Sequence, residues 1–141
     1  MPIAGRFLTL LVPLLVAGHA GSAGLDEAMR TALERRVGGR WEALIGRDWG
    51  RVYEYHSPAY RAVFPREMFP HKFSYMVEWE LTGVEIVAYD AAAAVASVAV
   101  RVMSRPVKQT SAASAAIGAV PTRIVEQWIL SDGEWWYSAN L

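Results

Sequence analysis

The sequence of 141 residues contains no cysteine. This excludes disulfides, thiol nucleophiles and cysteine-based metal sites. An excess of charge is also lacking, because 14 Lys and Arg residues balance 14 Asp and Glu residues and the basic residues are scattered. Nucleic acid and anionic membrane surfaces both require a basic patch, so neither is expected as a partner. The sequence has no Gly-rich phosphate-binding loop, nucleotide-binding fingerprint or serine-nucleophile motif, and we expect no cofactor.

The first 23 residues have the three-part layout of a secretory signal. Arg6 precedes the apolar run FLTLLVPLLVAG, and the small residues of HAGSAG follow it. The run is shorter than the roughly 20 residues that a membrane-spanning helix needs. We therefore expect a signal peptide at residues 1–23, cleaved after Ala20 or Ala23, and a single domain at residues 24–141. The mature protein would be periplasmic or secreted, without stable membrane insertion.

Helical spacing is typical of the next part of the chain. Apolar residues recur three or four positions apart from Leu25 to Ile45, and the pair Gly38-Gly39 interrupts the pattern at a cost of about 1 kcal/mol for each glycine. Either a helix kinks at this pair, or a loose leader ends there.

Three short helical segments follow. Asp48 suits the N-cap of a helix in WGRVYEYH, and Ser57 followed by Pro58 suits the start of another. Pro65 and Pro70 restrict the segment REMFPHKF to single turns.

Beyond the helices the pattern predicts strands, in VEWELTGVEIVAYD, AVASVAVRVMS, TRIVEQWIL and WWYSA. Simple alternation puts Val84, Ile86 and Ala88 of the first strand on one face and Tyr89 on the other. Residues 106–121 form either a long mobile connection or the outer ends of an extended hairpin. Helices followed by consecutive strands predict an α+β fold with an antiparallel sheet.

The dipeptide Asp132-Gly133 predicts a two-residue hairpin turn, because both of its positions need a positive φ. With this turn, directly opposed residues share a face of the sheet. One face is strongly apolar and should meet the helices; it carries Ile124, Glu126, Trp128, Leu130, Trp135 and Tyr137. The other face is mixed and suits a subunit interface in a homodimer. Its candidate interface residues are Gln127, Ile129 and Trp136.

Glu126 is the one carboxylate on the apolar face, and burying it unpaired would be costly. In one interpretation it lies near the sheet edge and pairs with Arg123, Arg101 or Arg40. In the other it projects into a cavity as a general base or a polar anchor. The sequence leaves both open.

Together these elements resemble the NTF2-like superfamily, cone-shaped α+β domains also called cystatin-like. The segment RWEALIGRDWGRVYEYHSP is similar to the first two helices of that family, with the acidic turn between them. The segments VEIVAYDAAAAVASVAVRVMS and TRIVEQWILSDGEWWYS are similar to its long strands. The resemblance covers about residues 26–141. It implies N-terminal helices packed in a strongly curved antiparallel sheet, with a pocket between them.

Members of this superfamily include isomerases, dehydratases, epoxide hydrolases and polyketide cyclases, beside non-catalytic binding and assembly domains. The ketosteroid isomerases place an Asp base after the second helix and a Tyr donor on the first. The similar regions here, Val63-Phe64-Pro65 and Arg40-Trp41, supply neither group. The resemblance therefore does not imply that isomerase arrangement for this chain.

His56 and His71 are the histidines of the expected mature domain. His56 follows Tyr53 at helical spacing and can face the pocket. Glu67 and His71 are four residues apart, but Pro70 breaks the helix that would align them, and two ligands without a third make a poor metal site. We expect no metal.

The leading hypothesis is a non-catalytic binding or accessory domain that holds a small apolar ligand or a partner segment in the cone. A cofactor-free isomerase or dehydratase, with Glu126 or His56 as the catalytic base, is the alternative. A third is a purely structural dimeric domain whose cone is filled by its own side chains. The candidate ligand-binding residues are Trp41, Tyr53, His56, Tyr60, Phe64, Glu126, Trp128, Trp135 and Tyr137.

Overall fold

The computed structural model of the protein describes residues 23–73, 77–107 and 111–139. All but the last residue of the predicted signal peptide lies outside these ranges. Within the ranges, no helix combines the length and the apolar character needed to cross a bilayer.

Helix α1, Glu27–Ile45, runs without a break through the glycine pair. The side chain of Asp26 caps its start by accepting a hydrogen bond from the backbone N–H of Met29 at 2.7 Å. Of the two expectations, a loose leader that ends at the glycine pair is therefore wrong. The reason is tertiary: one face of the helix is buried, and packing of that face stabilises helices more than propensity does. The apolar residues of that face are Leu33, Val37, Trp41, Ala43 and Leu44.

The surroundings of the two glycines of α1 differ, so replacing each by alanine should change the free energy of unfolding in opposite directions. Outside its own stretch of helix, no atom of the described residues lies within 4 Å of the position of a Cβ at residue 38, so Gly38→Ala should raise the free energy of unfolding by about 0.5–1 kcal/mol. A Cβ at residue 39 would collide with the hydroxyl of Tyr55, so Gly39→Ala should lower it by about 1–3 kcal/mol. Urea denaturation of both variants tests this. Two stabilised variants would mean that Tyr55 moves aside easily.

Three short helical elements follow α1, and they begin where the sequence predicts. Helix α2 is Trp49–Glu54 and is capped by Asp48; helix α3 is Pro58–Val63 and is capped by Ser57. A 3₁₀ helix, Arg66–Lys72, comes next.

The strands β1 (Val77–Asp90), β2 (Val95–Pro106), β3 (Val120–Ser131) and β4 (Glu134–Ser138) form one antiparallel sheet in sequence order. Strand β2 ends at Pro106 and β3 begins at Val120, so both reach into residues 106–121, which the sequence left open. Val120 pairs with Ser104 of β2. Helix α4, Ala112–Ile117, lies between these two strands. The predicted α+β class, with helices first and an antiparallel sheet after them, is confirmed.

Two irregularities in β1 change the face on which its side chains lie. The register shifts once between Leu81 and Gly83 and again between Ile86 and Ala88. As a result Ala88 is exposed, whereas the ring of Tyr89 lies edge-on to Trp135 at 5.9 Å. Simple alternation gave the wrong face for both residues, because each bulge reverses the alternation beyond it.

Candidate functional site

The closing hairpin has the predicted register. Asp132 and Gly133 have φ values of 52° and 76°, as a turn with two positive φ positions requires. Trp128 lies opposite Tyr137, and Leu130 lies opposite Trp135. This hairpin therefore turns the predicted apolar face toward the helices, with the rings of Trp128 and Trp135 in the core.

Glu126 is buried on that face, with 4% of its surface exposed. One carboxylate oxygen, Oε1, accepts hydrogen bonds from Arg40 Nη1 at 2.7 Å and from Trp41 Nε1 at 2.9 Å. The other, Oε2, accepts from Trp128 Nε1 at 3.0 Å. Of the three arginines considered for Glu126, the structure pairs it with Arg40. Three donors thus hold this carboxylate in place, and a substrate proton would have to compete with them.

Arg40 connects Glu126 to the rim of the core. Its guanidinium lies 3.6 Å from the centroid of the Tyr137 ring, where the aromatic face stabilises the cation. Its Nε is buried and makes no hydrogen bond within the described ranges. Arg40 therefore presents one N–H that Glu126 does not use.

His56 lies between the end of α2 and strand β4. The backbone N–H of Tyr137 donates to the carbonyl of Tyr55 at 2.8 Å, which ties the two elements together beside the imidazole. The ring stacks on Tyr60 at 4.3 Å and meets Phe69 and Tyr137 edge-on. Only 2% of the residue is exposed.

The electrostatics keep the His56 imidazole neutral. Burial, and after it the positive charge of Arg40, lower its pKa from 6.5 to about 4. Nδ1 is buried and makes no hydrogen bond of good geometry among the described residues, while the backbone of Val52 and of Tyr53 beside the ring partly opposes the lowering of the pKa. A neutral imidazole can donate or accept at this nitrogen, depending on its tautomer.

Both unused nitrogens belong to residues that line the same cavity, of about 190 Å³, called here the histidine cavity. Its walls are Arg40, His56, Phe69, Lys72, Phe73, Tyr137 and Ala139. The walls thus combine aromatic rings with three nitrogen-bearing side chains. Pockets of this composition bind small molecules, the apolar walls giving affinity and the few polar groups giving orientation.

Lys72 is the charged lining residue that the sequence analysis missed, and Phe69, Phe73 and Ala139 were also not among its candidates. Lys72 is exposed, its Nζ lies 4.5 Å from the centroid of the Phe64 ring, and it donates to the hydroxyl of Tyr60 at 3.1 Å. The sequence spacing indicates this position of Lys72. Residues three apart on a 3₁₀ helix share a face, and Lys72 follows Phe69 by three residues.

An apolar groove of about 350 Å³ adjoins the histidine cavity and shares Tyr137 and Ala139 with it. Its other walls are Ser57, Ala59, Tyr60, Val63, Phe64, Ile129 and Ser138. The groove gives a ligand in the cavity an apolar surface along which to extend.

A third cleft, of about 320 Å³, lies where α1 ends beside β1 and β2. Arg105 and Glu78 on its wall pair with each other at 3.1 Å, and both side chains are more than half exposed. These charges are satisfied and solvated, so this cleft offers a ligand less than the histidine cavity does.

The candidate ligand-binding residues separate into two groups. His56 and Tyr137 line the histidine cavity, and Tyr60 and Phe64 line the apolar groove. The others are buried in the core and, within the part of the chain described, line none of the three cavities above. They are Trp41, Tyr53, Glu126, Trp128 and Trp135.

The candidate interface residues have partners within the chain. Gln127 exchanges hydrogen bonds with the hydroxyl of Ser97 at 3.1 Å. The ring of Trp136 lies 5.0 Å and 5.6 Å from the guanidinium carbons of Arg36 and Arg61. The use of this face, with Ile129, in a homodimer stays a prediction.

No protein-family model and no curated protein matches the chain. Among solved structures, an NTF2-like protein of unknown function from Pseudomonas putida KT2440 is similar to it, with a TM-score of 0.54 and 14% identity over 81% of this chain and 84% of that one. A SEC-C motif containing protein from Rhodopseudomonas palustris matches with a TM-score of 0.40 and 16% identity over 71% of this chain and 70% of that one. The first likeness shows that this chain has an NTF2-like fold, as the resemblance implied. A fold does not specify a function, which has to be argued from the site.

Proposed function

We propose that this NTF2-like domain is a non-catalytic binding domain that holds a small ligand in the histidine cavity. One observation carries the proposal: His56 Nδ1 and Arg40 Nε are both buried without hydrogen-bond partners among the described residues, and both residues line that cavity. Leaving a buried polar group unsatisfied costs about 1–3 kcal/mol. A ligand in the cavity that reached these nitrogens, after a small movement of the side chains that cover them, would recover this free energy.

The volume of the cavity limits the size of the bound group. An engineered apolar cavity of roughly 150 Å³ binds benzene, so about 190 Å³ accommodates one six-membered ring with a small substituent. The rings of Phe69, Phe73 and Tyr137 offer such a ligand stacking surfaces. Its apolar substituents would extend into the adjoining groove.

The geometry favours binding over catalysis. Glu126 is held by three donors, and the pKa of about 4 makes His56 a weak base at neutral pH. The geometry also favours a binding domain over a structural domain whose cone is filled by its own side chains. Trp128 and Trp135 occupy the core, but the histidine cavity keeps its volume.

Native mass spectrometry of the full-length chain, expressed with its N-terminal segment and recovered from the periplasm, tests the proposal. We expect a mass beginning at Gly21 or Gly24, in a dimer, with an additional small molecule that denaturation removes. Export and dimerisation are proposals supported by the sequence alone, and this measurement reports them separately from the ligand.

Two matched substitutions locate the ligand in this experiment. Ala139 lines both the cavity and the groove. In Ala139→Phe the larger side chain would occupy part of this space, and we expect the additional mass to be absent from the spectrum. Ala112→Phe makes the same change at an exposed position of α4, which lines neither the cavity nor the groove, and should keep the additional mass. A wild-type protein that carries no additional mass would contradict the proposal and favour a purely structural domain.

A further inference from the structure

We infer that the ligand of the histidine cavity is a single-ring carboxylate, an inference that rests on the proposed function and narrows it to one chemical class. Two observations carry it. The first is the charge of the cavity walls, and the second is the set of side-chain N–H groups on those walls that a ligand can still use.

The walls of the histidine cavity carry positive charge without a matching acid. Arg40 and Lys72 line it, and no Asp or Glu is among its described lining residues. Glu126 compensates the Arg40 charge, but it contacts Nη1 and not Nε. Among the described residues, the Lys72 ammonium donates to the neutral hydroxyl of Tyr60, has no carboxylate partner and lies over aromatic rings. Because the Arg40–Glu126 pair is neutral as a whole, an anion in the cavity would face one uncompensated cation, Lys72, beside the unused Nε of Arg40.

The available donors suit a carboxylate. Arg40 Nε offers a buried N–H, and a carboxylate oxygen accepts such a charge-assisted bond at roughly twice the strength of a neutral one. Lys72 Nζ carries three N–H donors, of which Tyr60 takes one. The neutral His56 can donate from Nδ1 in the tautomer that protonates this nitrogen. Arg40 and His56 are buried, which strengthens their bonds to a ligand, whereas Lys72 is exposed and contributes mainly its charge.

The aromatic walls determine the rest of the ligand. Phe69 is 1% exposed and lies edge-on to His56 at 5.0 Å, so it forms a fixed apolar wall beside the polar group. Phe73 stacks on Trp49 at 4.5 Å and meets Phe69 edge-on at 5.1 Å, so the two rings form one continuous apolar wall. A flat ring would lie against this wall, with its carboxylate toward Arg40 and Lys72.

Isothermal titration calorimetry with benzoate and benzamide tests the inference, because the two probes share a ring and differ in charge. We expect the wild-type protein, stripped of ligand by dialysis, to bind benzoate about tenfold more tightly than benzamide. Lys72→Met should weaken benzoate by about tenfold and leave benzamide within about twofold. Arg105→Met removes the same charge away from the cavity and should change neither affinity.

The outcomes separate this inference from the proposed function. Equal binding of the two probes, or benzoate binding that Lys72→Met does not change, overturns the carboxylate while leaving the cavity as a binding site. Failure of both probes, with a ligand present in the native mass spectrum, overturns the single-ring carboxylate alone. Failure of both probes together with an unliganded native mass overturns the proposed function as well. Lys72 is exposed, so Lys72→Met should fold normally, and circular dichroism checks this.

Discussion

Glu126→Ala is expected to lower the free energy of unfolding by about 3–5 kcal/mol, the usual cost of removing one partner of a buried ion pair. The loss has two parts. The Arg40 guanidinium would remain buried without its anion, since the two side chains are only 6% and 3% exposed. The indole N–H groups of Trp41 and Trp128 would also lose their acceptor. Urea denaturation monitored by tryptophan fluorescence measures the change.

Related variants show which part of the Glu126 network matters. Glu126→Gln keeps an oxygen acceptor for the indoles and loses the charge, so its cost should be smaller, about 1–3 kcal/mol. The double variant Arg40→Met with Glu126→Leu removes both charges and should be more stable than Glu126→Ala. Glu78→Ala is the control, because its pair with Arg105 is exposed and should contribute less than about 1 kcal/mol. A cost below about 1 kcal/mol for Glu126→Ala would mean that the carboxylate does not stabilise the fold, and would return it to the candidates for a catalytic base.

Acidification is expected to destabilise the protein through His56 by about 2–3 kcal/mol between pH 7.5 and pH 4.5. The pKa of His56 is about 4 in the folded chain, against 6.5 for an ordinary histidine, so the unfolded chain binds a proton first as the pH falls. The contribution of the neutral imidazole to the free energy of unfolding is fully present above pH 6.5. It is lost progressively as the pH falls to about 4. Burial causes most of the difference, and the positive charges of Arg40 on α1 and Lys72 on the 3₁₀ helix act in the same direction.

Comparison with His56→Phe isolates this effect from the titration of carboxylates. The variant keeps an aromatic ring against Tyr60, Phe69 and Tyr137, but its side chain cannot bind a proton. Its stability should therefore fall less between the two pH values than that of the wild type, by the same 2–3 kcal/mol. His71→Gln changes an exposed histidine and should follow the wild type. Equal pH dependence in wild type and His56→Phe would contradict a buried neutral imidazole.

Local signals in the sequence predicted much of the fold. The bounds of β1 and the register of the closing hairpin follow from alternation and from the dipeptide Asp132-Gly133, because each is determined by residues close together in the chain. The caps of α2 and α3 follow for the same reason. The bulges of β1 were not predicted, since they arise from how the strand pairs with β2 and packs on the helices.

The site was harder to predict than the fold. The sequence indicated His56 and Tyr137, but it could not select Arg40 from three arginines or bring Lys72 to the same cavity. Those contacts join α1, the 3₁₀ helix and β4, which are distant in sequence. Their positions depend on how the helices dock on the sheet. Periodicity predicts which face of an element is buried but not which residues of two elements meet.

The irregular path of β1 also affects how the molecule behaves at high concentration. Strand β1 is at one edge of the sheet, where a long, regular strand would offer unpaired backbone groups to a neighbouring molecule. Its two register shifts interrupt that regular template. At the opposite edge, β4 has only five residues, and the backbone of Tyr137 is bonded to Tyr55. The edges formed by β1 and β4 are therefore poor starting points for intermolecular strand addition, and the part of β3 before Gln127, which β4 does not cover, is where such addition would be easiest.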